Sequence, residues 1–241
     1  MSSSPPADEL FLRRALELAR AGVGLASPNP HVGAVIVDAN GNIAGSATYT
    51  YANQKHAEIL ALEQAGTRAR GGTLYINLEP HAHQGRTPPC TDALIAAGIA
   101  RVVASMADPN PKVSGRGFEQ LRAAGIRVEA GMLEAEARRL NEAFACYIRR
   151  GIPLVTLKSA LTLDAKIGRR SSSHEPGIPP GGWITGELAR AHVHQLRHAS
   201  DAILVGIGTV LADDPLLTDR SGLPRRRPLL RVILDSSLRL P

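Results

Sequence analysis

The stretch between residues 56 and 90 constrains this chain more than any other part of its sequence. It opens with His56-Ala57-Glu58 and closes with a proline-rich turn that carries His81 and ends at Cys90. If residues 57–64 form a helix, His56 and Glu58 both lie at its first turn, where they reach one point just outside the helix N-terminus. Histidine and cysteine are common zinc ligands in proteins. The stretch therefore indicates a zinc site at the start of a helix.

The residue types in this stretch also indicate a reaction. In zinc hydrolytic deaminases, the histidine of a His-x-Glu pair holds the metal, the glutamate moves protons, and a Pro-Cys segment supplies two further ligands. Three protein ligands leave a fourth position for water, whose pKa falls to about 7. Glu58 is in place for the proton transfer, whereas His81 stands where the first cysteine of such a segment is expected. The pattern favours hydrolytic deamination.

Composition and charge limit the class of protein and its partners. The chain has 241 residues, 44% of them hydrophobic and two of them cysteines, and it lacks a long apolar run or an N-terminal leader, so we expect a cytoplasmic protein that does not enter membranes. A net charge of +6 suits nucleic acid or a phosphorylated metabolite. Only 3% of residues are aromatic, so surfaces for base stacking are scarce. We expect a phosphorylated small molecule as the partner, and no nucleic acid.

Hydrophobic periodicity predicts an α/β fold. Helical and strand-like patterns alternate from residue 56 to residue 150, which is typical of a sheet covered by helices on both faces, with the site at strand ends. Gly151-Ile152-Pro153 breaks the last helical pattern, so we place a domain boundary at about residue 150, between domains 1–150 and 151–241. Other expected elements are a helix capped by Asp8, an unbroken helix at 134–150, strands at 154–161, 201–210 and 229–234, and a helix at 186–198.

Two loops carry candidate substrate residues. Asn29 lies between prolines ahead of a strand and could hydrogen-bond the edge of a ring, although an ordinary turn is the alternative. The loop at 108–117 is rich in proline, glycine and basic residues, so Lys112 or Arg116 could meet a phosphate. Arg225-Arg226-Arg227 is expected to be a solvated loop.

Several motifs occur in one order along the chain. Those of the first half are Ser27-Pro28-Asn29-Pro30, His56-Ala57-Glu58, Gly85-Arg86-Thr87-Pro88-Pro89-Cys90 and Asp108-Pro109-Asn110-Pro111-Lys112-Val113. Those of the second half are Leu157-Lys158, Trp183-Ile184-Thr185, Ser200 to Leu204, Gly208 to Pro215 and Leu234-Asp235-Ser236. In this order and spacing, they resemble the bifunctional riboflavin-biosynthesis deaminase/reductase family of the RibD type.

The resemblance implies a two-step enzyme. A zinc-dependent deaminase removes an amino group from a diaminohydroxy-phosphoribosylaminopyrimidine, and an NADPH-dependent reductase then converts the ribosyl group to ribityl. The implied fold is α/β, a three-layer cytidine-deaminase-like domain followed by the first part of a dihydrofolate-reductase-like domain.

The resemblance also assigns residues to roles. The zinc ligands are His56, His81 and Cys90, and Glu58 is the proton shuttle. Arg197, Leu217 and Arg220 match substrate contacts of the reductase, and our own candidate substrate residues in the deaminase are Asn29, His83 and Lys112. Two alternatives to His81 as a zinc ligand are His83 in that position and an empty site. The positions that match nucleotide contacts are Ala160, Trp183, Thr209, Asp213 and Ser236.

Two departures from the family pattern keep alternatives open. The family has cysteine at the position of His81, and the reductase-like part has only about 90 residues, without the glycine-rich segment that holds the cofactor phosphates. An impaired or non-catalytic relative is one alternative. A nucleoside or nucleic-acid deaminase is another, although such enzymes separate the two ligands of the Pro-Cys segment by two residues instead of eight. A homo-oligomer is compatible with every alternative.

We expect the 241-residue chain to lack the reductase activity. The glycine-rich segment would have made charge-assisted hydrogen bonds to the cofactor phosphates. Without it, the loss of each such bond weakens cofactor binding by about 1.5–3 kcal/mol. The measurement is NADPH oxidation in the presence of the deaminated pyrimidine, and oxidation that depends on that pyrimidine would contradict the expectation.

Overall fold

Residue contacts divide the chain into two compact units, unit 1 at residues 1–154 and unit 2 at residues 155–241. The computed structural model describes residues 6–85, 87–111, 113–167 and 183–240. Lys112, one of the candidate substrate residues, therefore lies outside the described residues. Within the described part, no helix is long and apolar enough to cross a membrane.

Unit 1 is built on one mixed five-stranded sheet. Its strands are β1 Gly33–Val37, β2 Ile43–Thr48, β3 Thr73–Ile76, β4 Arg101–Ala104 and β5 Arg127–Ala130. Its helices are α1 Ala7–Ala21, α2 Ala57–Ala65, α3 Cys90–Ala96, α4 Arg116–Ala123, α5 Glu134–Leu140 and α6 Glu142–Arg150. The strand order is β2-β1-β3-β4-β5, in which β1 is antiparallel to β2 and β3, while β3, β4 and β5 are parallel.

The side chains of the strands alternate between two buried clusters, one on each face of the sheet. Val35 and Val37 of β1 pack with Leu12 of α1 on one face. Ala34 and Ile36 belong to the second cluster, which includes residues of α2, α3 and α4 on the other face. Because successive residues of a strand point to opposite faces, this fully apolar strand is covered on both sides. The predicted three-layer α/β arrangement is confirmed.

Two glycines let helices approach the sheet at backbone distance. A Cβ on Gly33 of β1 would lie 2.1 Å from the backbone oxygen of Ala15 in α1. A Cβ on Gly45 of β2 would lie 2.2 Å from the backbone oxygen of Ala61 in α2. No other residue type fits at either position, so these glycines set the height of α1 and α2 above the sheet.

Two predictions for unit 1 are wrong in detail. The helix expected at 134–150 is broken at Asn141, because the buried Asn141 side chain binds the backbone of His31: its Oδ1 accepts from the His31 N–H at 2.8 Å, and its Nδ2 donates to the His31 oxygen at 3.1 Å. Asp8 does not cap α1, whose N-cap is Pro6. Its carboxylate instead accepts hydrogen bonds from Tyr75 and Arg101.

Unit 2 contains helices α7 Glu187–His198 and α8 Ile207–Asp213 and the parallel strands β6 Ala202–Gly206 and β7 Leu230–Leu234. The strand expected at 201–210 ends at Gly206, where α8 begins. The strand expected at 154–161 is absent, because no described strand pairs with this segment, and Val155 and Leu157 are 84% and 93% exposed.

The arginine cluster of unit 2 also differs from the prediction. Arg225 is not a solvated loop residue: it donates to the backbone oxygens of Arg197, His198 and Ser200 and to the carboxylate of Asp219. It thereby satisfies carbonyl groups at the C-terminal end of α7, which have no partner within the helix.

Replacing Gly33 with alanine is expected to destabilise unit 1 by about 1–3 kcal/mol, the usual cost of forcing extra volume into a packed core. Urea unfolding followed by circular dichroism measures this. Gly208→Ala is the control, since a Cβ at that helical position meets nothing within 4 Å. An unchanged unfolding midpoint for Gly33→Ala would contradict the contact between α1 and β1.

Candidate metal centre

The N-termini of α2 and α3 meet at one point. His56 is the N-cap residue of α2, with an extended backbone, and Cys90 is the first residue of α3. The Nδ1 atom of His56 lies 3.0 Å from the Sγ atom of Cys90. His81 comes from the turn between β3 and α3, and the ligand atoms of the three residues all lie within 4.8 Å of one another. This spacing suits three ligands around one metal ion.

His81 presents an imidazole nitrogen that fits a metal. Its Nδ1 atom is buried and has no hydrogen-bond partner, although buried polar atoms in proteins are almost always paired. Burial, with the nearby imidazoles of His83 and His56, lowers the pKa of His81 to about 4. The ring therefore stays neutral at ordinary pH, which is the form that binds zinc. The residues present fit a zinc ion held by two imidazoles and one thiolate.

Glu58 lies in the first turn of α2, beside this cluster, and its side chain is buried. Burial raises the pKa of the Glu58 carboxyl, while His56 acts in the opposite direction. Burial also raises the pKa of the Cys90 thiol, and the charge of Glu58 raises it further. A divalent cation reverses the balance at the thiol, because a coordinating thiol is deprotonated outright.

Asn29 contacts the candidate metal centre through Tyr49, a residue that the sequence analysis did not identify. Its Nδ2 atom donates to the hydroxyl of Tyr49 at 2.5 Å. The Tyr49 ring meets the His56 ring edge-on, with 5.8 Å between centroids. Tyr49 lies just after β2, in a stretch without any motif to mark it, so only the fold reveals its position.

A second wall of the centre comes from the turn that follows β3 and the loop that follows β4. The ring of His83 lies against that of His81, with 4.2 Å between centroids. Burial raises the pKa of Asp108, and His83 acts to lower it, so Asp108 at the start of the loop at 108–115 lies near His83. The buried Glu79, which sequence reasoning also missed, accepts hydrogen bonds from the backbone of this loop.

The candidate residues of unit 2 form two groups. Arg197 donates to the backbone oxygen of Thr218 at 2.8 Å, next to the buried Leu217. Burial lowers the pKa of Arg197, and the charge of the nearby Arg220 lowers it further. Thr209 and Asp213 lie one turn apart in α8, which follows β6, and Ser236 follows β7.

Thr209, Asp213 and Ser236 form the second group. They lie at the same edge of the sheet, beyond the carboxyl ends of β6 and β7, because these two strands are parallel. Ala160 and Trp183 lie outside helices and strands, and the Trp183 ring stacks with Arg190.

Family models match most of the chain in two parts. The model for the cytidine and deoxycytidylate deaminase zinc-binding region matches residues 5–106. The model for the RibD C-terminal domain matches residues 153–241. The first match contains the three clustered ligand residues and Glu58.

Curated relatives and solved structures match nearly the whole chain. The riboflavin biosynthesis protein RibD of Aquifex aeolicus is 47% identical over 234 residues, which cover 97% of this chain and 63% of the relative. That of Escherichia coli is 46% identical over 244 residues, covering 97% and 64%. The chain thus spans just under two thirds of the length of these relatives.

Among solved structures, Acinetobacter baumannii RibD superposes with a TM-score of 0.84 at 43% identity, covering 98% of this chain and 65% of that structure. A Thermotoga maritima diaminohydroxyphosphoribosylaminopyrimidine deaminase/5-amino-6-(5-phosphoribosylamino)uracil reductase gives a TM-score of 0.84 at 45% identity, covering 95% and 63%.

We expect His81→Ala to lose most of the zinc and His83→Ala to keep it, because only His81 brings a ligand atom into the cluster. His81→Cys should hold zinc more tightly, since a second thiolate adds a negative charge next to the cation. Zinc per chain after dialysis against a chelator measures both effects, and the optical spectrum of the cobalt-substituted protein reports the number of thiolates. Unchanged zinc content in both His81→Ala and His81→Cys would show that His81 is not a ligand.

Proposed function

This chain belongs to the RibD-type family of riboflavin-biosynthesis proteins, and we propose that it catalyses the zinc-dependent hydrolytic deamination of a phosphorylated aminopyrimidine. The observation that carries the proposal is the buried Glu58 carboxyl beside the cluster of His56, His81 and Cys90. A carboxyl with a raised pKa beside a three-ligand site is the combination that hydrolytic deamination needs.

The residues of the site have two separate roles, metal binding and proton transfer. His56, His81 and Cys90 would hold zinc, which would lower the pKa of a bound water. Glu58 would carry a proton to the departing amino group. Its raised pKa suits this transfer, since a proton shuttle works best with a pKa near the operating pH.

The surroundings of the site suit a pyrimidine that carries a phosphoribosyl group. We assign Asn29, whose Nδ2 atom donates to Tyr49 next to His56, to the edge of the ring. We assign His83 to the substrate as well, and the phosphate to Arg116 and to Lys112, which lies outside the described residues. The Thermotoga maritima relative is described as acting on such a phosphoribosylaminopyrimidine. We therefore propose a small-molecule substrate and not a nucleic acid, and a cytoplasmic location, with which the two free cysteines agree.

Unit 2 is the reductase-type part of the family. We assign the shared edge at Thr209, Asp213 and Ser236 to NADPH, because ligands bind at the carboxyl ends of parallel strands. Ala160 and Trp183 belong to this assignment by resemblance. Arg197, Leu217 and Arg220 form the corresponding substrate wall, in which two guanidinium groups suit a phosphate.

Glu58→Gln is expected to keep zinc bound and to lower the deamination rate by about 100- to 10,000-fold, the usual contribution of general acid–base catalysis. An amide keeps the shape of the side chain but cannot carry the proton. Ammonia release from the aminopyrimidine and zinc per chain are the measurements.

Glu63→Gln is the matched control, because Glu63 lies on the same helix but is exposed and pairs with the exposed Lys55. Loss of zinc in Glu58→Gln would contradict the role given to Glu58. Absence of ammonia release from the zinc-loaded wild-type chain would instead favour a non-catalytic relative.

A further inference from the structure

Glu79 is a buried carboxylate that binds only backbone groups in the described part of the chain. Its side chain follows β3 and is 3% exposed. Oε2 accepts from the N–H groups of Asp108 at 3.0 Å and Gly115 at 2.9 Å. Oε1 accepts from those of Gly117 at 2.8 Å and Phe118 at 3.4 Å. One side chain therefore holds both ends of the loop at 108–115 and the first turn of α4.

The charge of Glu79 is balanced by the backbone. Among the described residues, no lysine, arginine or histidine forms an ion pair with it, and its partners are amide N–H groups. Two of these belong to the N-terminus of α4, where the unpaired N–H groups of a helix favour a negative charge. An ionised carboxylate has two oxygens that accept from several donors at once, so it suits four converging N–H groups.

Glu79 also lies next to the metal centre along the chain. Only Pro80 separates it from His81, and the backbone here touches the first turn of α4. A Cβ on Gly117 would lie 2.2 Å from the backbone oxygen of Pro80 and 3.1 Å from Oε1 of Glu79. The turn that carries His81 thus packs on the first turn of α4, and the Glu79 carboxylate binds both that turn of α4 and the two ends of the loop.

We propose that Glu79 is a positioning residue, which sets the distance between the metal centre and the loop that binds the phosphate side of the substrate. This inference rests on the proposed function for the identity of the substrate, but the clamp itself does not. Glutamine at this position would turn an NH₂ group towards two backbone N–H donors and leave both unpaired. Aspartate would keep the charge on a side chain one methylene shorter.

The test compares Glu79→Gln and Glu79→Asp with the wild-type chain. Glu119→Gln is the matched control. Glu119 is an exposed residue in the first turn of α4, the turn that Glu79 binds. The substitution Glu119→Gln removes the same charge as Glu79→Gln but leaves the Glu79 acceptor oxygens in place. The measurements are KM and kcat for the aminopyrimidine, zinc per chain, and hydrogen exchange of the amides at 108, 115 and 117.

For Glu79→Gln, we expect KM to rise at least about tenfold with kcat changed far less, because the loop contacts substrate and not the reacting atoms. Zinc content should stay as in the wild type, and the three amides should exchange at least about tenfold faster. Glu79→Asp should recover part of both losses, and Glu119→Gln should match the wild type.

Three results would overturn the inference. The first is unchanged exchange at the three amides, and the second is faster exchange with KM unchanged. The third is a fall in kcat that follows zinc loss, since Glu79 would then position only the turn that carries His81. If Glu79→Gln does not fold, Glu79→Asp supplies the same comparison. A wild-type chain that binds zinc but releases no ammonia refutes the proposed function, while the exchange rates still decide whether Glu79 clamps the loop.

Discussion

The metal centre depends on two helices that start at the same place. His56 and Cys90 are brought to 3.0 Å because α2 and α3 begin side by side at one edge of the sheet. That arrangement in turn requires α2 to lie close on β2, which only Gly45 permits. Ligands at helix starts have little freedom to move, since the helix that follows each one is packed into the core. The positions of His56 and Cys90 are therefore set by the packing of α2 and α3, whereas His81 comes from the turn between β3 and α3.

The sequence predicts the parts of this site that a local pattern marks. A His-x-Glu pair at the start of a periodic segment, and a cysteine after a proline-rich turn, identify His56, Glu58 and Cys90 without knowledge of the fold. Glu79 could not be found in this way, because its backbone partners lie 29 to 39 residues further along the chain. Tyr49 was missed for the same reason: its contact with Asn29 spans 20 residues.

The element errors also have physical causes. The segment at 134–150 has a continuous helical pattern. The helix is nevertheless interrupted at Asn141, whose side chain makes two hydrogen bonds to the backbone of His31. The segment at 207–210 is rich in apolar residues, which suit a strand or a buried helix equally well, and only the pairing of β6 with β7 shows where the strand ends. Apolar residues at 154–161 likewise predict a strand, yet a strand needs a neighbour to receive its hydrogen bonds.

The clamp of Asn141 on His31 has a consequence for the order in which the protein assembles. These hydrogen bonds join residues 110 positions apart, whereas Asn77 holds the same His31 oxygen across only 46. As a chain emerges from the ribosome, the loop that carries Asn29 can bond to Tyr49 once β2 has been made and to Asn77 once β3 has been made, but to Asn141 only after the last helices of unit 1 have been made. A nascent chain that ends before Asn141 would contain the three candidate metal ligands and Glu58, but not the side chain that fixes the backbone of His31.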